Sequence, residues 1–107
     1  MKEILSVYER GKTKLIPFKD IIMLVSASNY SEIHLRDGEK LFTSKTLKHW
    51  SEKIDSTDFL RVHQSFYINL KCIRDIDVKQ KRLCLSNGKE AFISRSKWSK
   101  VKAIILN

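Results

Sequence analysis

Three glycines and one proline in 107 residues leave little material for a loop that cradles phosphates. With the three glycines at 11, 38 and 88, neither a GxGxxG pattern nor a P-loop can be written, so nucleotide-dependent catalysis has no visible home. Cysteine is equally sparse. Cys72 and Cys84 lie in "NLKCIRD" and "KRLCLSN", without CxxC spacing or the cysteine density of a secreted, stapled domain, and read as reduced thiols of the core or its edge. Together with His34, His49 and His63 they offer no two residues at a ligand-pair spacing, so neither a metal nor another cofactor is expected. Long apolar runs are missing too: nothing approaches the roughly 20 residues of a membrane span, and "MKEILSVYERGKTK" lacks the apolar centre of a secretory signal. The expectation is a cytoplasmic protein without a membrane partner. Acidic residues are the last shortage, 12 against 21 Lys plus Arg, which gives a net charge of +9. A polyanion is the natural partner of such a chain.

The length suits one domain with a single modest core, expected to span 1–107. "EILSVYE" and "KLIPF" read as strands joined by the turn "RGKT". "DIIMLVSA" is a continuous apolar run, as in a strand covered on both faces, and "SNYS" reads as the loop after it. In "SEIHLRDGEKLFTS", Ile33 and Leu35 alternate with Glu32, His34 and Arg36, and Asp37-Gly38 is expected to supply the positive φ angles of a tight hairpin. The period then changes. Leu47, Trp50 and Ile54 share one face of a short helix, with Ser44 as its expected cap. After "DSTD" come "FLRVHQSFYINL", then "IRDIDVK", "RLCLS" and "KEAFIS", the last two joined by Asn87-Gly88. "SRSKWSKVKAIIL" returns to helical spacing through Trp98, Val101 and Ile105, with Ser94 or Ser96 as candidate cap and Lys97, Lys100 and Lys102 on its other faces. The fold expected is mainly β with two short helices.

No catalytic constellation emerges. His63 and Ser65 share a strand face, but no oxyanion motif accompanies them, and a hydrogen-bonded pair is the better reading. Nucleic-acid binding needs cations for phosphates and a few amide, hydroxyl or guanidinium groups for base edges. Asn29 with Tyr30, His63 with Gln64, and Arg95 with Ser96 each fall where a strand ends or a helix begins, so their side chains can project from a rigid scaffold. Singly these residues are ordinary turn, core-edge or helix-face positions; their joint occurrence carries the argument. In "FLRVHQSFYINL", Phe59, Leu60, Val62, Phe66, Ile68 and Leu70 are expected to anchor the segment while His63, Gln64 and Ser65 form an exposed tip. Asn69 is expected to serve backbone groups.

Three stretches resemble one family in order: "DIIMLVSASNYSEIHLRDG", "FLRVHQSFYINLKCIRDI" and "NGKEAFISRSKWSKVK" are similar to the signatures of the LytTR DNA-binding domain, the output domain of a class of bacterial response regulators. The resemblance implies short, mostly antiparallel sheets laid side by side, and binding of double-stranded DNA through loops that enter successive major grooves, without a recognition helix. Carried over by position, it implies base contacts from Asn29, Gln64, Arg95 and Ser96, with Ser26, Ser28, Tyr30, His63, Ser65, Lys97 and Lys100 serving phosphates or holding the loops. The chain departs from many members near Asn29 and at Ser96, where basic side chains are common. The family often carries a receiver domain ahead of this one, and none is present here, so the expected partners outside the chain are a receiver domain or sensor and a second copy on an adjacent half-site. A fragment and a stand-alone regulator both fit. The rival reading is a basic protein-interaction module. Single-stranded RNA binding is disfavoured because Phe18, Phe42, Phe66, Phe92, Trp50 and Trp98 read as core.

Overall fold

Tight turns set the order of the strands in a computed structural model that describes residues 3–106; the outer limits of the expected domain lie outside the described residues. Strands β1 (Ile4–Glu9) and β2 (Lys12–Pro17) form a hairpin around Arg10 and Gly11, both at positive φ. A 3-10 turn leads into β3 (Ile21–Ala27), β4 (Tyr30–Leu35) and β5 (Lys40–Thr43). Helix α1 (Leu47–Ile54) follows, then β6 (Phe59–His63) and β7 (Phe66–Asn69). The meander β8 (Ile73–Asp77), β9 (Arg82–Leu85) and β10 (Glu90–Phe92) ends in a 3-10 turn, Arg95–Lys97, and helix α2 (Trp98–Ile105).

The central sheet has the order β5-β4-β3-β7-β6 and every pairing is antiparallel. Strand β3 lies in its middle, which is why Ile21, Ile22, Met23 and Leu24 are all buried: the run needs cover on both faces and has it. One face packs Leu24, Ile33, Leu41 and Tyr67 against the β1-β2 hairpin and against Leu47, Trp50 and Ile54 of α1. Burial pushes the Tyr67 phenol up to about 12. The other face packs Met23, Val62 and Ile68 against Leu83, Leu85, Ala91 and Ile93 of the meander and Val101 of α2. Each such side chain, fully withdrawn from water, contributes roughly 1.5–3 kcal/mol. Asn69 serves backbone groups as expected: its amide donates to the Ile21 carbonyl (2.9 Å) on the neighbouring strand while its Oδ1 accepts from Lys71 N (3.0 Å).

Several local expectations are corrected. At the Asp37-Gly38 and Asn87-Gly88 hairpins only the glycines, at φ 91° and 81°, adopt positive φ. Asp37 and Asn87 instead accept a backbone N–H two residues on, from Glu39 (2.8 Å) and Lys89 (3.0 Å), so each loop closes around three residues, not two. The polar tip after β3 is only Ser28 and Asn29, because Tyr30 and Ser31 already pair in β4. Thr46, not Ser44, caps α1, its hydroxyl accepting from His49 N at 3.2 Å, since the buried Leu47 must begin the helix. Neither Ser94 nor Ser96 caps the last helix with its side chain; the 3-10 turn closes through the backbone, Lys97 N to Ser94 O at 3.1 Å. Phe42 and Phe92 are 43% and 50% exposed rather than core, and Phe66 and Trp98 are half-buried. The meander covers only part of the sheet face that carries Phe42 and Phe66, while Phe92 alternates with the buried Ala91 and Ile93 and so lies on the meander's outer face.

Candidate nucleic-acid interface

Antiparallel pairing decides which ends of the strands meet. Ser26 pairs with Ser31, and Ser31 with Thr43, so the β3-β4 turn and the end of β5 lie on one line. Ser26 N donates to Ser65 O (2.9 Å), adding the β6-β7 turn to that line. Ser94 N donates to Val62 O (2.9 Å), adding the start of the 3-10 turn before α2. The three polar tips thus form a single row at one end of the central sheet.

The backbone under the row is braced. Arg61 donates from Nε to His63 O (3.1 Å) and from Nη2 to Gln64 O, holding the β6-β7 turn from below. His63 Nδ1 accepts from Ser65 N (3.0 Å), which puts the proton of the neutral ring on Nε2. Ser28 sits at φ 59°, the left-handed residue of its turn. Such fixed turns carry little conformational entropy to lose when they meet a ligand.

Charge is distributed unevenly. Stretches 26–31, 43–49, 63–65 and 94–100 contain no Asp or Glu, whereas Asp20, Asp37, Glu39, Asp55 and Asp58 all flank the opposite ends of the central strands. Lys97 is partly desolvated and lies near Arg61 and Lys100; burial first, then these two charges, lowers its pKa. Burial also lowers that of Arg61, although a guanidinium stays charged at neutral pH. Cations crowded and dehydrated in this way gain most from an incoming phosphate, which relieves their mutual repulsion.

Asn29, Gln64, Arg95 and Ser96 are all exposed on the row, with Ser28 and Tyr30 beside Asn29. His63, Ser65 and Lys97 are half-buried and Lys100 is exposed one turn further along. Ser26 sits deeper, a strut whose backbone joins two turns. Sequence reasoning missed Arg61 as a brace of the β6-β7 turn; its cue is its place two residues before His63 on a bulged strand. Among the described residues no cluster of His, Cys, Asp and Glu could hold a metal, Cys72 and Cys84 are free, and no helix is long and apolar enough to cross a membrane.

A family model described as the LytTr DNA-binding domain matches residues 11–106. The chain belongs to the LytTR family of DNA-binding domains. The family is a non-enzymatic DNA-binding fold. Among solved structures, the fold is shared with the LytTr DNA-binding domain of a protein described as a methyl-accepting/DNA response regulator from Bacillus cereus, at a TM-score of 0.83 and 18% identity, covering 98% of each chain. No curated protein matches the sequence. The LytTR fold therefore persists here through a chemistry of turns and buried apolar positions rather than through overall identity.

Proposed function

We propose that this LytTR domain recognises a specific double-stranded DNA sequence for bacterial transcription regulation, setting the turns at 28–29, 64–65 and 94–96 in the major groove. The observation that carries the reading is the single acid-free row of three braced turns at one end of a sheet whose other end mixes carboxylates with cations. Gln64 and Asn29 suit the N6 and N7 edge of adenine, and Arg95 the O6 and N7 edge of guanine, with Ser96 hydrogen-bonding beside it. Ser28, Tyr30, His63, Ser65, Lys97 and Lys100 contact phosphates or hold the turns, and Ser26 supports them. A body 43 Å in its longest extent is long enough to lie across one helical turn of DNA, about 34–36 Å. In the cytoplasm, a second copy on an adjacent half-site and a receiver or sensor partner outside the chain complete the regulator.

The test is selection of bound sequences from random duplex DNA, followed by fluorescence anisotropy on the winner, a scrambled copy and a single-stranded competitor at about 150 mM salt, where nonspecific binding is weak. A preference of about a thousandfold or more for the selected duplex is expected. With about six phosphate contacts, log affinity should fall against log salt with a slope of about −5. No sequence preference together with a flat salt response overturns the reading and leaves a basic protein-interaction module.

A further inference from the structure

We infer that the stretch 44–48, outside the three turns, is a fourth DNA-contacting segment, in which Lys45 and Lys48 clamp the phosphate backbone beside the groove entered by Asn29. The inference rests on the DNA-binding reading and extends it to an element with no resemblance-based role. Register places the stretch. Thr43 pairs with Ser31, which pairs with Ser26, so the residues directly after Thr43 leave the sheet on the same row as Asn29 and Gln64.

The segment is held by buried groups while its cations face water. Ser31, 0% exposed, donates its hydroxyl to the Lys45 carbonyl at 2.6 Å. Lys45 N donates to Thr43 Oγ1 (3.3 Å), and the Trp50 indole donates to the same oxygen (2.8 Å). His49 N is fixed by Thr46 Oγ1. A fully buried serine and a buried threonine thus spend their hydroxyls on this one loop, whose Ser44, Lys45, Thr46 and Lys48 are exposed. Among the described residues neither Lys45 nor Lys48 is in an ion pair, although Glu52 lies one helical turn beyond Lys48. Lys14, Lys71, Arg74 and Arg82, by contrast, are all paired.

Distance selects phosphate as the ligand. β5 stands one to two strand spacings, roughly 5–10 Å, to the side of the β3-β4 turn. A turn seated in a major groove about 12 Å wide has a phosphate backbone at that offset, and the compact ammonium of lysine on a flexible stem suits a phosphate better than a base edge.

The experiment compares wild type, K45A/K48A and the control K19A/K53A, whose lysines sit at the opposite end of the central sheet, on the selected duplex and its scrambled copy across a salt series. Thermal melts confirm that all three fold. For K45A/K48A the log–log salt slope is expected to become shallower by about 2, with equal fold-losses on both duplexes, while the control keeps the wild-type slope. Hydroxyl-radical footprinting should show loss of protection confined to phosphates flanking the site on one side. A K45A/K48A slope equal to wild type, with wild-type sequence preference intact, overturns the inference alone. Wild type without sequence preference overturns the DNA reading and the inference with it.

Discussion

Gln64 and Lys97 sit on the same row, and the proposed reading gives them different work. Gln64 is exposed at the tip of a braced turn and offers an amide, which distinguishes base edges; Lys97 is half-buried beside Arg61 and offers a charge, which does not. Gln64→Ala is expected to lose discrimination at one base position, about 1–3 kcal/mol, while Lys97→Ala weakens selected and scrambled DNA alike. Anisotropy on a set of single-base variants separates the two; equal losses on all sequences for both substitutions would refute the division. His34 shows what single residues conceal. Its alternation with Ile33 and Leu35 reads as a solvent face, yet it is 7% exposed, because that face turns toward Met23 and the meander. Burial lowers its pKa below 6.5, with Lys40 and Lys89 adding to the shift and Glu32, at 3.1 Å, opposing it. Above 6.5 the ring is neutral folded or unfolded and has no effect on pH dependence. As pH falls through 6.5 the unfolded chain takes up a proton that the folded one refuses, so stability declines until the folded ring also protonates. An NMR titration should place the His34 midpoint below 6.5, and His34→Gln should flatten the fall in melting temperature between about pH 7 and 5. A midpoint at or above the ordinary value contradicts this account.

Elements defined by nearest neighbours were legible: the glycine turns mark three hairpins, and Leu47, Trp50 and Ile54 fix the buried face of α1. The 3.6-residue period does not fix where a helix starts, and there the hydroxyls of Ser44 and Thr46 compete. Thr46 wins because its extended backbone directly precedes the buried Leu47, leaving its Oγ1 in reach of His49 N. Thr46→Ala is therefore expected to cost about 1 kcal/mol in chemical denaturation and Ser44→Ala only a few tenths. The reverse order would return the cap to Ser44. Long-range pairing was less legible. No local pattern announces that β7 joins β3 on the side away from β4, yet that pairing puts Gln64 beside Asn29. The exposure of Phe42 has the same origin: period-2 patterning tells which residues share a face, but how far the meander covers that face depends on contacts distant in sequence.

At the scale of the whole molecule, the net charge of +9 is less informative than its arrangement. Composition made a polyanion partner legible, but the separation of charge depends on strand topology. Because the central strands run antiparallel, the loops at 20, 36–39 and 55–58 gather at one end with their carboxylates, and the acid-free turns gather at the other. Net positive charge is then concentrated where the hydrogen-bonding tips are, an arrangement that on the proposed reading both draws DNA in and orients it before any base is read. Moving one unit of negative charge from end to end tests this directly. Ser28 already adopts a left-handed backbone that aspartate tolerates, and Thr57 is exposed in the loop before β6. Ser28→Asp places a carboxylate on the row and is expected to weaken binding to selected and scrambled duplexes by on the order of tenfold near 0.1 M salt, with the gap narrowing as salt rises. Thr57→Asp adds the same charge at the opposite end and should leave both affinities within about twofold of wild type, since on the proposed reading the charge lies beyond a Debye length of about 10 Å from the DNA. Equal losses from the two variants would mean that net charge, not its arrangement, governs binding, and the row would lose its claim to be the DNA-facing end.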